Sequence, residues 1–134
     1  DIFVGCAAVC DFAIANRADH KIKKSEGLQL EFEENPDIAR SIGTLASTER
    51  PQIVVGFAAE TDQLINYARK KLTDKGCDLI VANDISGGAV FGHDENQASF
   101  VTRESVETLD TMSKEALGQA IASWIAQALQ IVEA

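Results

Sequence analysis

One stretch constrains this chain more than any other: residues 51–84, PQIVVGFAAETDQLINYARKKLTDKGCDLIVAND. Residues 53–56 are a short β-branched apolar run, the pattern of a strand buried on both faces. Thr61 stands where it would cap a following helix, with Leu64, Ile65, Ala68 and Leu72 at helical spacing. Gly76 ends that helix, and residues 77–81 read as a second buried strand. Strand, helix and strand at this spacing predict a βαβ unit with parallel strands and a right-handed crossover. Ligands of open α/β sheets sit beyond the carboxyl ends of such strands, which here carry Phe57 to Thr61 and Ala82 to Asp84.

The flanks supply further elements. Residues 2–9 (IFVGCAAV) are continuously apolar and predict another buried strand. Asp11 follows its end, as a ligand contact or as a turn carboxylate bonded to backbone. Residues 13–27 have no period and read as an exposed loop carrying Arg17, Lys21, Lys23 and Lys24. Such a loop serves either as a flap over phosphates or as a solvated basic segment, and His20 reads as a surface residue. Residues 28–33 (LQLEFE) alternate as a half-exposed strand does. Asn35 then caps a helix, with Pro36 at its first position, Asp37 in its first turn and Ile38, Ile42 and Leu45 as its buried stripe. Its N-terminus offers N–H groups to polar ligand atoms, or is simply capped.

On the central helix, Lys71 and Lys75 are four apart and share a face. They repel by roughly a few tenths of a kcal/mol unless an anion lies between them or they splay into solvent. Residues 85–96 are a glycine-rich loop, and 97–102 with 106–110 are strands that pair as a ribbon around Arg103 and Glu104. Residues 113–132 are the clearest helix, capped by Ser113. Its apolar face comprises Ala116, Leu117, Ala120, Ile121, Trp124, Ile125, Ala128, Leu129 and Val132, with Trp124 as core.

Composition narrows the function. With 134 residues, one domain, 1–134, is expected, and 46% hydrophobic residues suffice for a core. A net charge of −9 opposes binding to nucleic-acid backbone, although local lysines still admit a nucleotide. No apolar run nears the ~20 residues of a membrane span. Asp1 is not a natural start, so the chain reads as a piece of something longer. Cys6, Cys10 and Cys77 read as reduced, buried thiols of a cytoplasmic protein, and C-x3-C without other ligands is no zinc site. Neither a dinucleotide fingerprint nor a P-loop is present, and His20 and His93 do not complete a nucleophile triad. Asp11 and Glu60 are available as an acid/base pair, but nothing singles them out.

These motifs, taken in order, resemble the phosphopantothenoylcysteine synthetase family (the phosphopantothenate–cysteine ligase part of DNA/pantothenate metabolism flavoproteins). The resemblance rests on GCAAVCDF, on His20-Lys21-Ile22-Lys23-Lys24, on Asn35-Pro36-Asp37-Ile38, and on GFAAET, Lys71, Lys75 and AND. Phe91-Gly92 with Asp94 and Asn96 completes it. Cys10 and Phe12 depart from the family's usual Ala and Tyr. The family's glycine-rich first βα turn and an Asn-Arg segment lie upstream of the strand that begins here, so the resemblance covers the C-terminal part of the synthetase.

The resemblance implies a three-layer α/β fold, Rossmann-like or ribokinase-like, with a mostly parallel sheet and an antiparallel ribbon. It implies CTP-dependent joining of 4′-phosphopantothenate and cysteine through an acyl-cytidylate, in coenzyme A biosynthesis and with Mg²⁺. FMN would belong only to a decarboxylase part. It places Gly5, Cys6 and Ala7 along the nucleotide, Asp11 beside it, and Asn35, Pro36, Asp37, Ile38 and Phe57 around the cytidine. Lys71 and Lys75 would face the nucleotide, and Lys21 would act on the acyl-cytidylate from the flap. It also implies a cytoplasmic homodimer with residues 97–110 at the interface. The alternative is a non-catalytic nucleotide-binding or dimerisation fragment of such an enzyme.

Overall fold

The computed structural model describes residues 1–24, 27–85 and 95–133. Phe91, Gly92 and Asp94 of the expected loop motif lie outside them. The chain divides into two compact units, Asp1–Cys6 with Ile38–Ala134, and Ala7–Asp37.

The larger unit is built on a five-stranded sheet in the order β1 (Ile2–Val4), β4 (Ile53–Glu60), β5 (Leu79–Asp84), β7 (Ala98–Val101) and β8 (Val106–Thr108). β1, β4 and β5 are parallel, β7 opposes β5, and β8 opposes β7, so only β7 runs against the rest. Successive strand residues point to opposite faces. Ile53, Val55, Leu79, Val81 and Phe100 therefore share one face with Leu117 and Ile125 of α3 (Lys114–Glu133). Val54, Ile80, Ala82 and Val101 share the other with Ala68 and Leu72 of α2 (Leu64–Asp74) and with Ile42 of α1 (Ile38–Gly43). Three layers result, with a strand-wide core on either side of the sheet. This double cover is why β4 and β5 are almost wholly apolar rather than alternating.

The β4–α2–β5 unit is present as expected, with register from Val55 opposite Leu79 to Glu60 opposite Asp84. Both strands reach further toward their carboxyl ends than the apolar runs suggest. Gly76 closes α2 at φ 63°, a conformation glycine adopts freely. The helix start differs from expectation. Its N-cap is Gln63, left-handed at φ 46° and without a side-chain cap bond, so Thr61 does not cap it. Instead Asp62 Oδ1 accepts the Gln63 N–H at 2.8 Å. Ser113 does cap α3, its Oγ accepting the Ala116 N–H at 3.1 Å. A short ladder that the sequence did not announce, β6 (Glu95–Asn96) with β9 (Met112–Ser113), precedes that helix.

At the amino edge of the sheet, the ends of α1 and α2 meet backbone to backbone. A Cβ on Gly43 would collide with the Lys75 carbonyl. Arg50 binds this corner together: its guanidinium donates to the carbonyls of Gly43 at 3.0 Å and Gly76 at 2.7 Å, and to Asp78 Oδ2 at 2.7 Å. Asp78 Oδ2 also accepts the Val54 N–H at 2.8 Å, which ties the start of β4 to the start of β5.

Three other expectations are corrected. The apolar run 2–9 yields only the three-residue β1, a sheet edge paired on one side, where Ile2 and Val4 stay 47% and 42% exposed. Cys6 and Cys10 are exposed, and only Cys77 is buried. In the expected α1 stripe, Ile42 packs inward, whereas Ile38 and Leu45 are exposed and Gly43 takes the buried position, because the helix has only six residues.

The smaller unit is an antiparallel ribbon of β2 (Phe12–Ile14) and β3 (Phe32–Glu34), with Phe12 opposite Glu34 and Ile14 opposite Phe32. A strand thus occupies the start of the expected loop 13–27, and the expected strand 28–33 is displaced toward its carboxyl end. Asn16 lengthens the ribbon by imitating backbone: Nδ2 donates to the Gln29 carbonyl at 3.1 Å and Oδ1 accepts the Glu31 N–H at 2.9 Å. Phe12 and Phe32 remain exposed. Among the described residues, no helix is long and apolar enough to cross a membrane.

Candidate functional site

The carboxyl edge of the parallel strands, where α/β sheets take their ligands, gathers several of the expected residues. The Gly5 N–H donates to the Val55 carbonyl at 2.9 Å, so the backbone leaving β1 runs beside β4 toward Gly56 and Phe57. Cys6 follows, exposed. Phe57 is opposite Val81 and half-buried against the α3 side of the core.

β4 ends at Glu60, whose Oε1 lies 3.0 Å from Lys71 Nζ. The ammonium reaches the strand end from two turns into α2, in the direction helical side chains lean, toward the helix N-terminus. The Lys71 and Glu60 side chains are 35% and 27% exposed. The repulsion expected between Lys71 and Lys75 is thus met on one side by an anion of the chain itself. Lys75 is the C-cap of α2, one turn on, with its carbonyl beside Gly43 at the opposite edge of the sheet.

In the smaller unit a second group forms. The Asn35 N–H donates to the Asp11 carbonyl and Asn35 Nδ2 to the Cys10 carbonyl, both at 2.8 Å. These bonds hold Asp11 beside Asn35, Pro36 and Asp37. α1 begins only at Ile38, three residues on, so Asn35 is not at the capping position expected of it. The Ala7 carbonyl accepts the Val9 N–H at 3.0 Å, a tight turn after β1. Lys21 is exposed. The expected residues therefore fall into two groups: Gly5, Cys6, Ile38, Phe57, Lys71 and Lys75 in one unit, and Ala7, Asp11, Lys21, Asn35, Pro36 and Asp37 in the other.

Sequence reasoning did not single out Glu60 as the partner of Lys71. The available signal was a carboxylate closing an apolar strand just before a lysine-bearing helix. A hollow of about 330 Å³ was also unforeseen. It is lined by Asp78, Thr102, Arg103, Glu104, Ser105 and Trp124, at the amino edge of the sheet, so Trp124 is core on one side and wall on the other. None of the expected site residues lines it. Among the described residues, no three His, Cys, Asp or Glu gather as a metal site.

Comparison with known proteins adds a separate line of observation. Residues 1–129 match the model of the DNA/pantothenate metabolism flavoprotein C-terminal domain. The coenzyme A biosynthesis bifunctional protein CoaBC of Haemophilus influenzae is 45% identical over 114 residues, 84% of this chain and 28% of that protein. Its counterpart in Bacillus subtilis is 48% identical over 98 residues, 72% of this chain and 23% of that protein. The chain thus spans less than a third of the length of these curated relatives. A crystal structure of the C-terminal domain of a CoaBC protein superposes with a TM-score of 0.73 at 26% identity, covering 97% of this chain and 55% of that one.

Proposed function

The chain belongs to the DNA/pantothenate metabolism flavoprotein family through that family's C-terminal domain, and on that premise we propose that it is the nucleotide-handling part of a phosphopantothenate–cysteine ligase. The reaction runs in two halves. A carboxylate oxygen of 4′-phosphopantothenate attacks the α-phosphorus of CTP, forming an acyl-cytidylate and releasing pyrophosphate. The cysteine amine then attacks the acyl carbon, CMP leaves with the C–O bond electrons, and the amine gives up a proton as the amide forms.

What supports this reading most is the grouping of Gly5, Phe57 and the Lys71–Glu60 pair at the carboxyl edge of β1 and β4. The family resemblance assigns the backbone of Gly5 and Cys6, with Ile38 and Phe57, in the larger unit to the nucleotide. It separately assigns Ala7, Asp11, Asn35, Pro36 and Asp37 in the smaller unit to the same ligand. Lys71, at the carboxyl edge, is a point charge suited to phosphate oxygens, and Lys75, one turn on, is assigned to the nucleotide by the resemblance alone. Lys21, on the connection between β2 and β3, stabilises charge developing on the acyl-cytidylate. Mg²⁺, bound together with CTP, would supply neutralising charge to the pyrophosphate leaving group. FMN has no part in these steps. The setting is cytoplasmic and the working form a homodimer.

Thermal shift with CTP against ATP, UTP and NAD tests the nucleotide, with the largest stabilisation expected from CTP. Amide formation from phosphopantothenate, cysteine and CTP tests the chemistry. A CTP-specific shift without amide would make the chain a binding module instead. Equal shifts from all four nucleotides, or none, would overturn the reading.

A further inference from the structure

We propose that Glu60 is a positioning residue, which holds the Lys71 ammonium ready for the phosphates of an incoming nucleotide; the inference rests on the reading of the site as a nucleotide site. An exposed Lys–Glu pair ordinarily contributes little. This one differs in its setting. Glu60 is the last residue of β4, and its carbonyl accepts the Ile85 N–H at 3.1 Å, so its backbone is fixed to the sheet. Lys71 comes from a different element, eleven residues on, with its helix packed on the same sheet through Ala68 and Leu72. Its 3.0 Å bond to Glu60 carries the ammonium to the sheet edge where the ligand is expected.

A lysine stem has four rotatable carbons and loses substantial freedom when its head is fixed. Glu60 imposes that loss before the ligand arrives. An ammonium has three donors, so one bond to a carboxylate does not exhaust it. Protein kinases set the general precedent, since a strand lysine must be paired with a helix glutamate to serve the nucleotide phosphates. Here the roles of strand and helix are exchanged.

Titrations of CTP with Mg²⁺, and of CMP, against the unmodified chain, Glu60→Gln, Lys71→Met and the double variant decide the matter. Glu60→Gln is isosteric, and its melting temperature is read alongside. It is expected to weaken CTP about five- to tenfold, the scale of freeing one long side chain. The loss for CMP should be smaller, and on the Lys71→Met background the substitution should cost nothing. Unchanged or tighter CTP binding by Glu60→Gln, equal losses for CTP and CMP, or an equal loss on the Lys71→Met background would overturn the positioning role alone. An unmodified chain indifferent to CTP would overturn the nucleotide reading and this inference together.

Discussion

At the residue scale the proposed chemistry turns on Lys21, an exposed side chain of the smaller unit. Lys21→Ala should leave the melting curve unchanged, because nothing in the core depends on it. Pyrophosphate release from CTP should continue while amide formation falls by about 10²-fold, the order of effect expected when one charge stabiliser is lost. Amide yield equal to that of the unmodified chain would show that Lys21 has no such role. The residues whose behaviour was legible in the sequence are those governed by local rules. Ser113 caps α3 because a hydroxyl three residues before a free N–H can reach it, and Gly76 closes α2 because glycine adopts φ 63° without steric cost. Thr61 and Asn35 satisfy the same local rules and yet do not cap. Asp62 serves the Gln63 N–H in one case, and in the other the Asn35 Nδ2 turns to the Cys10 carbonyl while the helix begins only at Ile38. A partner 25 residues away cannot be seen in a capping pattern.

At the scale of elements, the junction of α1, α2, β4 and β5 hangs on Arg50. Its planar guanidinium serves the carbonyls of Gly43, Pro51 and Gly76 and the Asp78 carboxylate at once, a geometry a lysine cannot reproduce. Arg50→Ala should lower unfolding stability by about 2–4 kcal/mol, measured by urea denaturation, because several charge-assisted bonds are lost and Asp78 is left half-buried without its cation. A change under about 1 kcal/mol would mean that water replaces the arginine adequately. The elements themselves were largely legible. Leu64, Ile65, Ala68 and Leu72 on α2, and Leu117 and Ile125 on α3, keep the helical period because each helix buries one stripe. The ribbon of β2 and β3 was not, because its apolar residues Phe12 and Phe32 are not buried and so follow no burial period.

For the whole molecule, the proposed homodimer was assigned to residues 97–110, and the fold restricts where that surface is. β7 is buried along its length, whereas β8 is an exposed edge strand presenting Val106, Glu107 and Thr108. Two copies of an edge strand related by a two-fold axis pair antiparallel, so β8 can contribute, beside the exposed turn of Arg103, Glu104 and Ser105. Light scattering should give twice the chain mass, and Val106→Lys should halve it without unfolding the monomer. A dimer indifferent to that substitution would place the interface elsewhere. The sequence by itself determined the βαβ unit and the two helical stripes, since apolar runs and a 3.6-residue period are written residue by residue, while the three layers followed from its resemblance to a known family. Only the tertiary structure decided that residues 2–9 shrink to an exposed edge strand, that β7 enters the sheet, and that Lys71 turns to Glu60. Each of these depends on which elements become neighbours, and that is a property of the assembled sheet rather than of any local run.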